Sequence, residues 1–553
     1  MLRLDELFSC DTHRITYTCL LWYPVADVTL AAWAIELPIL LLRLDFMTDL
    51  SVLDWCVCGA YLAIVFGLAF KSARGQRDNE DYFVGGRRMN WFVVGVSMFA
   101  TSFSAISFLG LPQRGAYQDF SFYLIILFIP FVITPILWFV FVPMFVRLKV
   151  SSGYEYLGRR FGRPARLIGS GLYCLYALGW MGTMLYAVAL TLRTVMGLTE
   201  AQYYFVLVGI GAFATVYTVM GGLKAVIWTD VLQAVVLGGA IVAVMLLAVN
   251  LIDGTWSSFW KIASEHNKFK MFHLNPKLLS AENFTAQNSV FTAAAYGLFM
   301  YLPGYAVAQN MIQRYVCAGT LARGRGVVAL SAAINSILGL LFLLVGTAIF
   351  AFYSQPAGIG MPAAEIEIAT EDQILPHFVA TQLPGLGLTG LILAGLFAAA
   401  MSTMDSGING VTSVIVYDWL AGKELPLKIS RILTTLLGAI VIVAAIVVPV
   451  IGKNVIDIIM VIAGTCLGML LAIYLLGMLS RRANLPGVVI GVAAGLTSFL
   501  VVLICTDIPK WWFGAFAMFP TIIVGSIASL CFPKPPESAL RDTLLTRKRR
   551  AAL

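Results

Sequence analysis

A chain of 553 residues that is 60% hydrophobic and 12% charged, with a mean hydropathy of +0.87, is too apolar for a soluble globular fold. The composition calls for an all-α polytopic membrane protein. The net charge of +8 then has to be explained by where the basic residues fall along the chain.

Residues 1–46 hold a short apolar piece, "VTLAAWAIELPILLLRL", interrupted by Glu36 and Pro38, with no convincing signal-peptide cleavage site. Met47 opens "MTDLSVLDW" just before the first good span, so 1–46 is expected to be a dispensable extension from an upstream start; a poorly formed extra helix is the alternative. Crossing the hydrocarbon core takes roughly 20 apolar residues as a helix, because exposed backbone polar groups go unsatisfied there. Hydropathy predicts thirteen such helices, near 51–70, 91–112, 121–146, 165–192, 203–220, 226–251, 288–312, 326–353, 385–416, 430–451, 455–479, 486–505 and 511–532. The longest connections are 252–287 and 354–384. No soluble signalling domain is expected at either end, which speaks against a sensor or receptor.

The basic residues follow this count. With the N-terminus outside and the C-terminus inside, twenty-six lysines and arginines fall on the cytoplasmic side, among them Lys71, Arg147, Lys224, Arg314, Arg431 and the tail residues 534–550. Only eight fall outside, Arg114 and Lys268 among them. The positive charge is topological and gives no support to nucleic-acid binding.

Two spans carry helix-breaking features. The second, "VGVSMFATSFSAISFLGLPQRG", holds five hydroxyl residues between Ser97 and Ser107 and ends in Gly110 and Pro112; the seventh, "YGLFMYLPGYAVAQNMIQRY", has Pro303–Gly304 in its interior. They lie five spans apart. Interrupted helices at matching positions in two halves point to inverted repeats around a central binding site. The division expected is 47–90, a first helix and inner loop; 91–251, the first repeat; 252–479, the second; 480–533, two further helices; and 534–553, a basic tail.

The ninth span contains "GLFAAAMSTMDSGING". On a helix Ala399, Ser402, Thr403 and Ser406 share one face, with Asp405 at its edge. Such an oxygen stripe suits a hard cation if a second element supplies more oxygens, and the unwound middle of the second span is the natural supplier. The bland alternative is that these hydroxyls bond back to carbonyls one turn earlier. Asp405 is costly at membrane depth unless it faces a cavity or a partner. Asp230, near the start of the sixth span, either belongs with it or pairs with Lys224 or caps its helix. The nine cysteines lack metal-ligand spacing, and His13, His266, His273 and His377 all lie outside the spans, which speaks against an intramembrane metalloenzyme.

From about Asp81 to Phe532 the chain resembles the sodium/solute symporter family, through "DYFVGGRRMNWFVVGVSMFATSFSAISFLGLP", "YEYLGRRFG", "YTVMGGLKAVIWTDVLQ", "QNMIQRY", "FAAAMSTMDSGINGV" and "SRRANLPG". The resemblance implies a leucine-transporter-like fold with inverted five-helix repeats, with Na+ as the coupling ion. It implies a main sodium site at the carbonyls of Ala100, Phe103 and Ala399 and the hydroxyls of Ser402 and Thr403. A second ion would meet Asp230, Ser402, Asp405 and Ser406; sialic acid transporters carry serine where this chain has Asp405, which leaves the stoichiometry open. The solute is expected at the midplane, near Ser102, Ser104, Ser107, Tyr123, Trp180, Tyr305 and Gln309, although each aromatic also has a packing reading. Trp180 stands where sialic acid transporters place an arginine, which argues against that solute.

The function expected is sodium-coupled symport of a small organic solute, a sugar, polyol or small organic acid, across the plasma membrane. Proton coupling through Asp405 or Asp230, or a passive sodium/solute channel, is the alternative. The partners expected are solute, sodium ions and the lipid bilayer.

Overall fold

The computed structural model describes residues 50–541 except 75, 77, 278–279, 287–288, 356–370, 384–386, 421–424 and 452–454. The extension 1–46 and tail residues 542–553 lie outside the described residues. Among those described, eleven helices are long and apolar enough to cross a bilayer, and one sharply bent pair makes a twelfth span. No strand occurs among them beyond a single bridge between His273 and Ser289.

The thirteenth span comes from one helix read twice. After α1 (Val52–Ala73), the bent pair α2 (Trp91–Ser102) and α3 (Ala105–Tyr117), α4 (Ser121–Leu148) and α5 (Arg163–Val195), the chain enters α6, Glu200–Asn250. Its 51 residues would stretch about 75 Å as one rod, more than twice a hydrocarbon core of roughly 30 Å. It is broken at Gly222 (φ 54°, ψ −157°), between the predicted spans 203–220 and 226–251. Only glycine fits this position: the φ is left-handed, and a Cβ would lie 2.6 Å from the Tyr82 carbonyl oxygen. The Tyr82 hydroxyl donates at 3.3 Å to the carbonyls of Thr218 and Val219, one turn before the break. Thus the exposed backbone groups find a partner.

The break in the second span falls at Phe103 and Ser104, both extended, and α2 and α3 meet at a 69° bend. Pro112 does not end this span; it lies inside α3, which runs on to Tyr117. There α3 touches α9 (Leu321–Tyr353) backbone to backbone, since a Cβ on Gly115 would sit 2.1 Å from the Leu343 carbonyl and one on Gly346 would sit 1.9 Å from that of Pro112.

The seventh span also breaks elsewhere than its sequence suggested. In α7 (Val290–Val307) a π turn at Gly297–Tyr301 precedes Pro303. The widened turn accommodates a residue that lacks an N–H and crowds the carbonyl one turn back. The helix therefore passes Pro303–Gly304 and stops at Ala308, extended at ψ 131°, before α8 (Gln309–Cys317) begins. The three prolines of α4, at 130, 135 and 143, likewise sit at or just after π turns.

The remaining spans are α10 (Leu388–Trp419), α11 (Leu427–Ile451), α12 (Val455–Leu479), α13 (Leu485–Cys505) and α14 (Phe513–Ala528). Burial separates central from peripheral helices: the most apolar stretch of α10 is 89% buried, those of α1 and α13 only 28%. On α11 the exposed Ile432, Leu436, Ile440, Val443, Val447 and Val450 recur every three or four residues, one apolar face turned to lipid. The hydroxyl- and acid-bearing helix is thus the best enclosed of the spans.

Candidate ion and solute site

The α10 stripe is fully enclosed: Ser402, Thr403, Asp405 and Ser406 are each at most 4% exposed. The hydroxyls of Ser402 and Thr403 both donate to the Ala399 carbonyl at 3.2 Å. This is the back-bonding geometry of the bland alternative. It also gathers three oxygens at one level of the helix and turns the hydroxyl protons inward, leaving oxygen lone pairs free to meet a cation. Opposite, α2 ends at Ser102, so Ala100 belongs to a last turn whose carbonyls lack a full set of intrahelical donors, and Phe103 is its extended cap.

Beside the stripe lies a charged node. Asp230 of α6 accepts on Oδ2 from Arg314 Nη2 at 2.8 Å, Ser97 Oγ at 2.6 Å and Thr101 Oγ1 at 3.4 Å. Its partner is therefore Arg314, not Lys224. Arg314 is fully buried rather than a loop cation on the cytoplasmic side; it also donates to Ser406 Oγ at 2.5 Å and to the Asn310 carbonyl at 2.7 Å. Ser406 in turn donates to Asp405 Oδ1 at 3.1 Å, and the Tyr217 hydroxyl donates to Asp405 Oδ2 at 2.7 Å. The second acid thus has hydroxyl partners while the first has the guanidinium. The other oxygen of Asp230, Oδ1, is buried with no hydrogen-bond partner. A cation would satisfy it.

A cavity opens next to the α2–α3 break. Ser102, Ser104, Ser107, Trp180 and Tyr305 line it together with Gln113, Arg114, Tyr296, Tyr301, Asn335 and Trp511. A second chamber shares Ser102, Trp180, Tyr296, Tyr301 and Tyr305 with the first and extends to Thr101 and Thr403. Asn335 of α9 ties the shared wall together, donating to Ser102 Oγ at 2.9 Å and to the Tyr305 hydroxyl at 3.1 Å.

Two of the expected solute residues lie elsewhere. The Tyr123 hydroxyl donates to the Ser336 carbonyl at 3.2 Å, so it holds α4 to α9. Gln309, fully buried, accepts from the Gly153 amide at 2.9 Å and donates to the Ser151 carbonyl at 3.0 Å and Ser413 Oγ at 3.2 Å; it locks α8 to the segment before α5 and to α10. Conversely, Arg114 and Asn335 line the cavity without having been singled out. The available signal was a lone polar residue inside or at the end of an otherwise apolar span.

The family model described as Sodium:solute symporter family matches residues 82–495. The chain is 27% identical over 504 residues to the sodium/sialic acid symporter SiaT of Proteus mirabilis (strain HI4320), covering 90% of this chain and 98% of that protein. It is 33% identical over 440 residues to the sodium/iodide cotransporter of Homo sapiens, covering 76% of this chain and 64% of that one. Among solved structures, a substrate-bound, outward-open Na+-coupled sialic acid symporter matches with a TM-score of 0.77 at 26% identity, over 88% of this chain and 99% of the other. Mhp1, a nucleobase-cation-symport-1 family transporter in a closed conformation, matches with a TM-score of 0.51 at 15% identity, over 84% and 97%, a likeness of fold alone. The fold is therefore leucine-transporter-like, and the protein is a sodium-coupled membrane transporter, not an enzyme. With a match across most of its length, the chain belongs to the sodium:solute symporter family.

Proposed function

We propose that the protein takes up a small organic solute, a sugar, polyol or small organic acid, together with sodium across the plasma membrane, its C-terminus in the cytoplasm. Residues 91–251 and 252–479 act as the two inverted repeats. The main sodium ion is held by the carbonyls of Ala100, Phe103 and Ala399 and the hydroxyls of Ser402 and Thr403, and the solute by the cavity at the α2–α3 break. One observation carries this reading: Thr403, from the ion set, lines the same chamber as Ser102, Trp180 and Tyr305. An ion that bridges α2 and α10 there also fixes the wall the solute meets, which is the physical content of coupling. The membrane potential adds roughly 2.3 kcal/mol per charge per 100 mV.

A second ion is proposed at Asp230, Ser402, Asp405 and Ser406, supported by the unpartnered Asp230 Oδ1. Sodium-dependent uptake with a Hill coefficient of one, unchanged in Asp405→Ala, would count against it. Proton coupling at Asp405 is the second reading, favoured by its hydroxyl-only partners Tyr217 and Ser406; uptake driven by a pH gradient without sodium would reveal it.

The deciding experiment is thermal stabilisation of the purified protein in potassium buffer, titrated with sodium and then with sugars, polyols and organic acids in either cation. A sodium shift abolished by Ser402→Ala, and a solute that stabilises only in sodium, establish the coupling. No sodium shift at any pH removes the α10 stripe as the ion site.

A further inference from the structure

We propose that Arg114 is the charge-recognising residue of the solute cavity, and that the transported solute is a small organic anion whose carboxylate meets this guanidinium. The inference rests on the solute-transport reading of the cavity and narrows it to one substrate class.

Of the twenty described residues that line the chamber at the α2–α3 break, Arg114 alone carries a formal charge. It stands on α3, the helix that starts at the break. Ser107, Gly110 and Arg114 recur at spacings of three and four, so they form one stripe along the cavity face. A Cβ on Gly110 would meet nothing within 4 Å, so the space between Ser107 and the guanidinium is open.

The side chain is held without an ion pair to any described carboxylate. Its Nη1 donates to Gln118 Oε1 at 3.1 Å, and its guanidinium carbon lies 4.2 Å from the centroid of the Phe122 ring. Among the described residues no carboxylate lies within ion-pair distance of it. Glu371, the nearby acid, accepts instead from Gln113 Nε2 at 2.8 Å. A guanidinium has five donors in a planar fork that matches a carboxylate bidentately, and only one of them is occupied by these contacts. A cation in a membrane-embedded cavity is costly when no acid among the described residues is in ion-pair contact with it. A bound anion relieves that cost.

The rest of the cavity describes the rest of the solute. Trp180, Tyr296, Tyr301 and Trp511 offer an aromatic wall, suited to a compact apolar body. At the far side Ser102, Tyr305 and Asn335 form a hydrogen-bonded cluster, suited to a hydroxyl or keto group. Sugars and polyols would bring the guanidinium no counter-charge of their own.

The test uses the full-length purified protein in sodium and in potassium, with thermal stabilisation and uptake into proteoliposomes as readouts. The probes are propionate, lactate, benzoate, phenylacetate and mandelate, each beside its amide, with glucose and myo-inositol as uncharged solutes. At least one carboxylate is expected to bind in sodium while its amide does not, and Arg114→Gln is expected to weaken that carboxylate roughly 10- to 100-fold, as for a lost charge-assisted hydrogen bond. The sodium-induced shift serves to certify that the variant is folded; if Arg114→Gln lacks it, Arg114→Lys decides, by keeping or losing the preference for carboxylate over amide. Equal binding of acid and amide, binding of glucose or myo-inositol in place of the acids, or undiminished carboxylate affinity in Arg114→Gln overturns the role of Arg114 and leaves sodium-coupled transport standing. Failure of every carboxylate to bind in sodium while the sodium shift persists overturns the organic-anion assignment and leaves the sodium site standing; absence of the sodium shift in the wild type overturns the reading of the site as well.

Discussion

Arg314 Nη2 meets Asp230 Oδ2 at 2.8 Å with neither side chain exposed. The contact joins α8 to α6, and through Ser97 and Ser406 the same guanidinium reaches α2 and α10. Four elements around the ion site therefore converge on one ion pair. Removing one partner strands the other charge in the core, which typically costs about 3–5 kcal/mol. Arg314→Met and Asp230→Asn are each expected to lower thermal stability by that order, and the double variant to lose less than the sum. Strictly additive losses, measured in sodium-free buffer, would show that the pair is not coupled.

The Ser402 and Thr403 hydroxyls share one acceptor, the Ala399 carbonyl. Removing either hydroxyl leaves the helix intact, since the backbone needs neither bond. Ser402→Ala and Thr403→Ala should therefore retain their melting temperature in potassium while sodium affinity falls roughly tenfold or more, the scale of one lost ligand contact of about 1.5–3 kcal/mol. An unchanged sodium titration in both variants would reduce the stripe to back-bonding.

Gly222 holds a left-handed φ, and its missing Cβ leaves room for the Tyr82 carbonyl. Gly222→Ala is expected to destabilise the protein by at least about 1–2 kcal/mol from backbone strain alone, with the clash in addition. Gly209, on the same helix but with open space around it, is the control. Gly209→Ala should be neutral or slightly stabilising. Comparable melting temperatures for the two variants would mean that the α6 break does not depend on glycine.

Lys268, in the connection after α6, donates to the carbonyls of Ala116 at 2.5 Å and Gln118 at 3.0 Å. Burial pushes its ammonium down to about 8, against an opposing pull from Asp119. A lysine whose folded value is depressed binds fewer protons folded than unfolded between about 8 and its ordinary value, so its contribution to stability rises with pH across that window. The stability of the wild type relative to Lys268→Met should therefore increase as pH is raised from about 8 to 10.5. A difference that stays flat or shrinks over this range would exclude a Lys268 ammonium depressed by burial.

Hydropathy and helical spacing determined a good deal of this protein. The thirteen spans are legible because a bilayer demands a long apolar helix whatever its neighbours. The second span was placed as a broken helix, and Ser402, Thr403 and Ser406 fall on one face for reasons of helix geometry alone. The two halves of α6 were separable because the run of apolar residues is too long for one crossing and Gly221, Gly222 and Lys224 interrupt it between the two spans.

Only the tertiary structure decided where the chain breaks and which polar residues meet. A π turn carries α7 past Pro303–Gly304 to Ala308, since the widened turn relieves the clash that proline alone would cause. Gln309 and Tyr123 satisfy distant backbone groups and leave the cavity to Arg114 and Asn335. Arg314 was assigned to a basic loop because an average over about twenty residues registers a lone arginine as a boundary, whereas its partner, Asp230, lies 84 residues away in sequence. A charge costs least where an opposite charge and hydroxyls already wait, and that place is set by how the helices pack.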